Sequence, residues 1–227
     1  MKRIQILILI LFICLPKVQA QYDAALSHYF MARAYYNPAA AGSTEDLKML
    51  ALFNQQWAGF PKAQRSFFVT ADMPFKIGKI KQGVGVTVYT ESIGLFQNTH
   101  AGAQYAYKHK LWGGELSGGL QIGIVNETFK ADSIYIPQSP FHQQEDEAFP
   151  KSRVNATGLD INLGLFYQHK NFYAGVGFTH INSPELQLEE TIYTYIGGMF
   201  NFMGGYNIKL NNPLFELKPS VFLLTDF

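Results

Sequence analysis

The sequence predicts an all-β fold, an antiparallel transmembrane β-barrel of the outer-membrane kind, on three observations. The first is alternation. Between His100 and Val125 the apolar residues Ala101, Ala103, Tyr105 and Tyr107, then Leu120, Ile122 and Ile124, fall at every second position. Gly102, Gln104, Ala106 and Lys108, then Gly119, Gln121 and Gly123, fill the places between. Residues two apart in a strand share a face, so one face is apolar and the other small and polar. A soluble sandwich alternates too, but its inward face is usually continuous Val, Ile and Leu, whereas a membrane strand sets aliphatic and aromatic residues against a polar lumen. The second observation is composition: aromatic residues make up 15% and charged residues 15% of the chain, where a globular protein carries about a quarter charged residues. Interfacial belts of Tyr and Phe account for both departures, although a soluble β-rich domain with a large core accounts for the composition as well. The third is export. Lys2-Arg3 precede an apolar run from Ile4 to Leu15, broken only by Gln5, and Val18-Gln19-Ala20 forms a small-residue exit, which is the pattern of a signal peptide over residues 1–20.

The apolar run is too short for a helical anchor, which needs about twenty residues. The only cysteine, Cys14, lies inside the removed segment, and Leu11-Phe12-Ile13 before it lack the small residues that precede a lipidated cysteine. Neither a lipoprotein nor a disulfide is expected. Removing Lys2, Arg3 and Lys17 takes the 18 basic residues to 15 against 17 acidic ones, a mature charge of −2. A chain so balanced has no basic stripe to neutralise phosphates, which sets nucleic acid aside.

Residues 21–47 do not alternate and read as an N-terminal segment that plugs or rims the barrel on its periplasmic side. Asp23 is placed to cap a short helix through Tyr29, and Pro38 forces Asn37 out of the helical region, so the chain turns there. The barrel is expected over 48–227, with strands at 48–57, 65–74, 81–91, 96–109, 116–129, 158–169, 172–182, 193–208 and 214–227. Outward faces follow from the alternation: Phe67, Val69, Ala71 and Met73; Val84, Val86 and Val88; Leu159, Ile161, Leu163 and Leu165; Phe172, Ala174, Val176 and Phe178; Phe215, Leu217, Val221 and Leu223. Pro219 marks an edge or a bulge in the last of these. Single-chain bacterial barrels close with an even strand number, so an odd count anticipates further C-terminal strands. Trp112-Gly113-Gly114, Lys170-Asn171 and 209–213 are short turns, as on the periplasmic side of such barrels, and 131–157 is a long loop, as on the outer side. The Glu145-Asp146-Glu147 run in that loop reads as solvated surface.

Catalytic and ligand chemistry find little support. The 6 histidines form no His-x-x-x-His pair of the kind that binds metal from one helix face, and no Gly-x-Ser-x-Gly elbow appears. No cofactor is expected. Gly83-Val84-Gly85 and Gly175-Val176-Gly177 sit within strands rather than between a strand and a helix, so they mark places where lumen side chains must be small, not phosphate loops. Trp57 and Trp112 fall at strand ends, where an amphipathic ring anchors at the headgroups.

Several phrases together carry a resemblance. An N-terminal Asp is followed by Ser27-x-Tyr29, then by Asn37-Pro38-Ala39-x-Ala41-Gly42, then by Gln55-Gln56-Trp57 at the end of the first strand. Ala71-Asp72-Met73-Pro74-Phe75, Gly83-Val84-Gly85-Val86, Glu91-Ser92-Ile93-Gly94-Leu95-Phe96, Tyr105-Ala106-Tyr107-Lys108 and Pro219-Ser220-Val221 follow in order. In this series the chain resembles the PorP/SprF family of type IX secretion system membrane proteins. The resemblance implies a Bacteroidetes outer-membrane protein, in contact with outer-membrane lipid, that works with periplasmic ring and motor subunits to secrete or surface-attach cargo proteins, a machinery shared with gliding motility. In the family, several further strands follow the phrase that ends this chain. The residues expected to meet partners are Tyr36, Asn37, Pro38, Ala39, Gly42, Gln56 and Trp57.

The expected function is therefore a non-enzymatic secretion-system component of the outer membrane. The alternatives are a diffusion channel or ligand transporter of the same architecture, and a soluble exported β-domain. The lumen separates the first two: a pore stays open to water, whereas an anchoring barrel is filled by its N-terminal segment and by side chains such as Tyr89, Gln104 and Gln121. Alternation also predicts that Leu120→Arg and Val86→Arg impair assembly more than Gln121→Arg does.

Overall fold

The computed structural model describes residues 26–78, 80–131, 152–189, 192–212 and 214–226. The predicted signal peptide, the Asp23 cap and most of the 131–157 loop lie outside them. The alternating segments form β1 (Lys48–Gln55), β2 (Arg65–Ile77), β3 (Ile80–Ile93), β4 (Phe96–Leu111), β5 (Gly114–Lys130), β6 (Arg153–Gln168) and β7 (Phe172–Thr179). After them come β8 (Glu185–Glu189), β9 (Ile192–Tyr195), β10 (Met199–Tyr206), β11 (Ile208–Lys209), β12 (Glu216–Leu217) and β13 (Ser220–Asp226). Nine of these join as one antiparallel sheet in the order β1-β2-β3-β4-β5-β6-β7-β10-β13, curled into a half-barrel. Its edges are β1 and β13, whose outer backbone groups need a hydrogen-bonding partner in hydrocarbon, where water supplies none.

The two faces separate as alternation predicts. In the β4–β5–β6 register, Ala103 pairs with Ile122 and Ile122 with Ile161, while Gln104 pairs with Gln121 and Gln121 with Asn162. Ile122, at 52% exposure, and Leu165, at 55%, stand on the convex face, whereas Gln121 and Asp160, at 0%, stand on the concave one. An exposed face this apolar, running across so many strands, is what a bilayer covers. Among the described residues no helix is long and apolar enough to cross a membrane. Trp57 and Trp112 are exposed in turns at opposite ends of the sheet. The Trp112-Gly113 turn has φ of 48° and 77°, the paired positive values that a tight hairpin between right-twisted strands requires.

The structure corrects several boundaries. The strand expected at 193–208 is not one stave. Its first part, β9, pairs with β8 as a separate hairpin, and only β10 joins the main sheet. Gly197-Gly198 breaks the run between them. The strand expected at 214–227 is also divided: β12 forms a two-residue hairpin with β11, and β13 starts just after Pro219, which has no N–H to give a ladder. Phe215 and Leu217, expected on the lipid face, therefore lie outside the main sheet. Residues 153–157, read as loop, belong to β6. The helical turns at the amino end are Tyr29–Met31, Arg33–Tyr36 and Pro38–Ala40, later in the chain than the helix anticipated through Tyr29.

Candidate functional site

The site is the concave face, and the segment from Ala32 to Gly42 occupies it. Asn37 is extended at φ −142° and ψ 104°, as the following proline dictates, and Pro38 opens a 3₁₀ turn whose missing N–H costs nothing there. The chain thus crosses the strands instead of running along them. Next to β10, Asn201 Nδ2 donates to the Tyr36 carbonyl at 2.8 Å. Over β6 and β7, Asn37 Nδ2 donates to the carbonyls of Leu165 at 2.9 Å and Val176 at 3.0 Å. Its Oδ1 accepts from the Ala39 N–H at 3.0 Å. Over β2, the Gly42 N–H donates to Asp72 Oδ2 at 2.8 Å. The segment is thereby tied to strands on both sides of the sheet.

Close approach depends on what the strands omit. A Cβ on Gly119 would lie on the Ala39 backbone, one on Gly83 on the Ala41 carbonyl, and one on Gly164 on the Asn37 side chain. These inward glycines are seats for the segment, which extends the reading of Gly83 and Gly175 as places where lumen side chains must be small. Gly42 itself has φ +60°, and a Cβ there would stand 2.8 Å from the Met73 carbonyl oxygen, so conformation and space both select glycine. Tyr35, Tyr36, Ala39 and Ala40 form a buried cluster with Phe68, Tyr89, Phe166 and Met203 from the sheet. Tyr35 meets Phe68 edge to face at 5.1 Å between centroids, a favoured aromatic geometry. Arg33 lies over the Tyr173 ring at 4.8 Å. Desolvation draws its guanidinium below its ordinary pKa, while Tyr173 and Asp72 pull the other way.

A second element fills the face towards the long-loop end. Leu186 of β8 and Ile196 pack on inward-facing Val125, and Thr194 Oγ1 donates to Glu127 Oε1 at 3.2 Å. Between this hairpin and the N-terminal segment lies a polar cluster. Asp160 Oδ1 stands 2.7 Å from His180 Nδ1, and Oδ2 stands 3.0 Å from His100 Nε2. A carboxylate this buried is costly without partners, and two imidazoles from distant parts of the chain supply them. Tyr35 stacks edge-on to His100 at 6.4 Å, so the segment and the cluster share a wall. Among the described residues no group of three His, Cys, Asp or Glu side chains is arranged to hold a metal.

Of the residues expected to meet partners, Tyr36, Asn37, Pro38, Ala39 and Gly42 come together, all buried on the concave face. They hold a segment in place rather than present an open surface. Gln56 and Trp57 lie apart from them, exposed at the far end of β1. Gln121 has 0% exposure and its side chain packs against Gly102. Gln121 thus faces the lumen as expected, and Gln121→Arg, while avoiding lipid, should carry an overpacking cost of its own beside His100. Sequence reading missed the His100–Asp160–His180 cluster and the β8–β9 hairpin, the latter signalled only by the breaks at Ser183-Pro184 and Gly197-Gly198.

The sequence model of the type IX secretion system membrane protein family PorP/SprF matches residues 18–226. No curated protein and no solved structure matches the chain. With the family match spanning the described sheet and the segment that crosses it, the chain belongs to the PorP/SprF family of type IX secretion system membrane proteins.

Proposed function

We propose that the protein is a non-enzymatic outer-membrane component of the type IX secretion system, delivered there by its signal peptide. In this reading it anchors periplasmic ring and motor subunits and supports the export or surface attachment of cargo proteins. The observation that carries the proposal is the filling of the concave face by Ala32–Gly42, fixed through Asn37 to β6 and β7. A diffusion channel or ligand transporter needs that space for water or solute, whereas an anchoring barrel gains rigidity by closing it. Tyr36, Asn37, Pro38, Ala39 and Gly42 would act by fixing the pose of a segment whose exit, Ser43–Glu45, opens at the short-turn end. That end faces the periplasm by analogy with other bacterial barrels. Gln56 and Trp57 would then serve the outer rim.

The test is Asn37→Ala combined with Pro38→Ala in cells. The double variant should still insert and resist heat but no longer pull down the periplasmic subunits or support cargo export. A variant that inserts and secretes as wild type does would assign the segment a structural role alone. Loss of insertion would place it in folding and count equally against the proposal.

A further inference from the structure

The short-turn end of the half-barrel carries two depressions of about 840 and 590 Å³ that share Gln168, His169 and Lys170, so they form one trough across the mouth of the concave face. Lys76, Lys81 and Lys170 line the first, and Arg33 and Lys218 the second, Lys218 being already paired with Glu216 Oε2 at 3.0 Å. The acids in the first are Glu45 and Glu115, and Glu115 is already met by Lys108 Nζ at 3.5 Å. The trough is therefore cationic in a chain whose mature charge is slightly negative.

The register decides which way the cations face. Lys76 pairs with Lys81 across β2 and β3, in the same alternation as Asp72 with Gly85 and Thr70 with Thr87. Asp72, Thr70 and Thr87 are buried on the concave face, so Lys76 and Lys81 occupy lumen-side positions. A belt for lipid headgroups would sit on the convex side, next to the apolar wall. Two like charges directly opposite one another also repel, which favours an anionic occupant between them. Aromatic rings stand in the second depression, Phe30 from the N-terminal segment and Phe172 and Tyr173 from β7, so the lining is not purely ionic.

We propose that this trough takes an extended acidic peptide segment of a periplasmic partner protein, its carboxylates meeting Lys76, Lys81 and Lys170 and its apolar side chains the rings beside Lys218. The proposal rests on the short-turn end facing the periplasm, as in the anchoring function above, and names the chemistry of the partner. An occupant there would lie over Gly42 and Ser43 and so read the seating of the N-terminal segment directly.

The experiment uses the full chain in detergent micelles and a fluorescein-labelled deca-glutamate peptide, followed by anisotropy. Wild type should bind the peptide with an affinity that falls as salt rises, since exposed charges are screened. Lys76→Glu with Lys81→Glu and Lys170→Glu should weaken binding at least tenfold. Arg65→Glu with Lys130→Glu and Arg153→Glu, at the other end, should leave it unchanged. Absence of binding, or equal loss in the two variants, overturns the proposal. Phosphatidylglycerol vesicles form the second arm: loss of vesicle association without loss of peptide binding in the first variant would identify a headgroup site and overturn it too. Because no partner subunit or cargo enters the assay, its failure leaves the anchoring function standing, whereas failure of the cell-based test leaves this binding result intact.

Discussion

Replacing Asn37 by alanine is the sharpest perturbation of the N-terminal segment, because it removes three hydrogen bonds and leaves the segment's apolar contacts in place. Two are donated by Nδ2 to the Leu165 and Val176 carbonyls, and one is accepted from the Ala39 N–H. A buried neutral hydrogen bond contributes about 1 kcal/mol net, so the segment should lose about 3 kcal/mol of seating. That corresponds to roughly a hundredfold increase in the population of the unseated state. The measurement is maleimide labelling of Ala40→Cys, a position 1% exposed, in the exported chain, expected to lack residues 1–20 and with them the one native cysteine, Cys14. Ala40→Cys alone should label slowly, and adding Asn37→Ala should speed labelling by about two orders of magnitude. Heat-resistant migration of the barrel should stay the same, since the strand ladders are untouched. Equal labelling rates in the two proteins would refute the seating argument.

Two further outcomes follow from the sheet. Ile122→Arg on the convex face should lower membrane stability by about 2 to 4 kcal/mol, read from urea unfolding in lipid vesicles, whereas Gln168→Arg at the rim of the trough should fall within about 0.5 kcal/mol of wild type; a larger loss for Gln168→Arg would mean that the faces are reversed, and equal losses that lipid does not distinguish them. Asp160→Asn should cost about 3 kcal/mol by leaving buried His100 and His180 without their carboxylate, and His180→Ala should add little in that background, so fully additive effects would dissolve the cluster as a unit.

What the sequence made legible depended on how local the signal was. Period-two alternation needs only a few neighbouring residues, and it identified the convex face from Phe67 through Phe178. Asn37 and Pro38 declared a turn because proline restricts its own φ and its predecessor's ψ. What they turn against was hidden, since Leu165 and Val176 lie 128 and 139 residues away and meet Asn37 only once β6 and β7 are in register. The same distance hid the histidines: His100 ends up beside Asp160 through two successive strand pairings, while His180 arrives from beyond β7. The run 193–208 misled because Tyr193 and Tyr195 of β9 continue the alternation of a stave, while β8 fell between the expected strands. Five- and four-residue strands are too short to cross a membrane, which takes about nine to eleven residues, and only the breaks at Ser183-Pro184 and Gly197-Gly198 marked them in the sequence. The family phrase from Tyr36 to Gly42 is buried against the concave face of the sheet and not displayed on an open surface.

Closure of the concave face by the N-terminal segment can be measured by single-channel recording of the protein in planar bilayers. Wild type should pass no steady ionic current, and Gly119→Val, whose side chain would displace the Ala39 backbone, should produce openings while the protein remains inserted. A stable, ohmic conductance in wild type, unchanged by Gly119→Val, would contradict it and favour a diffusion channel.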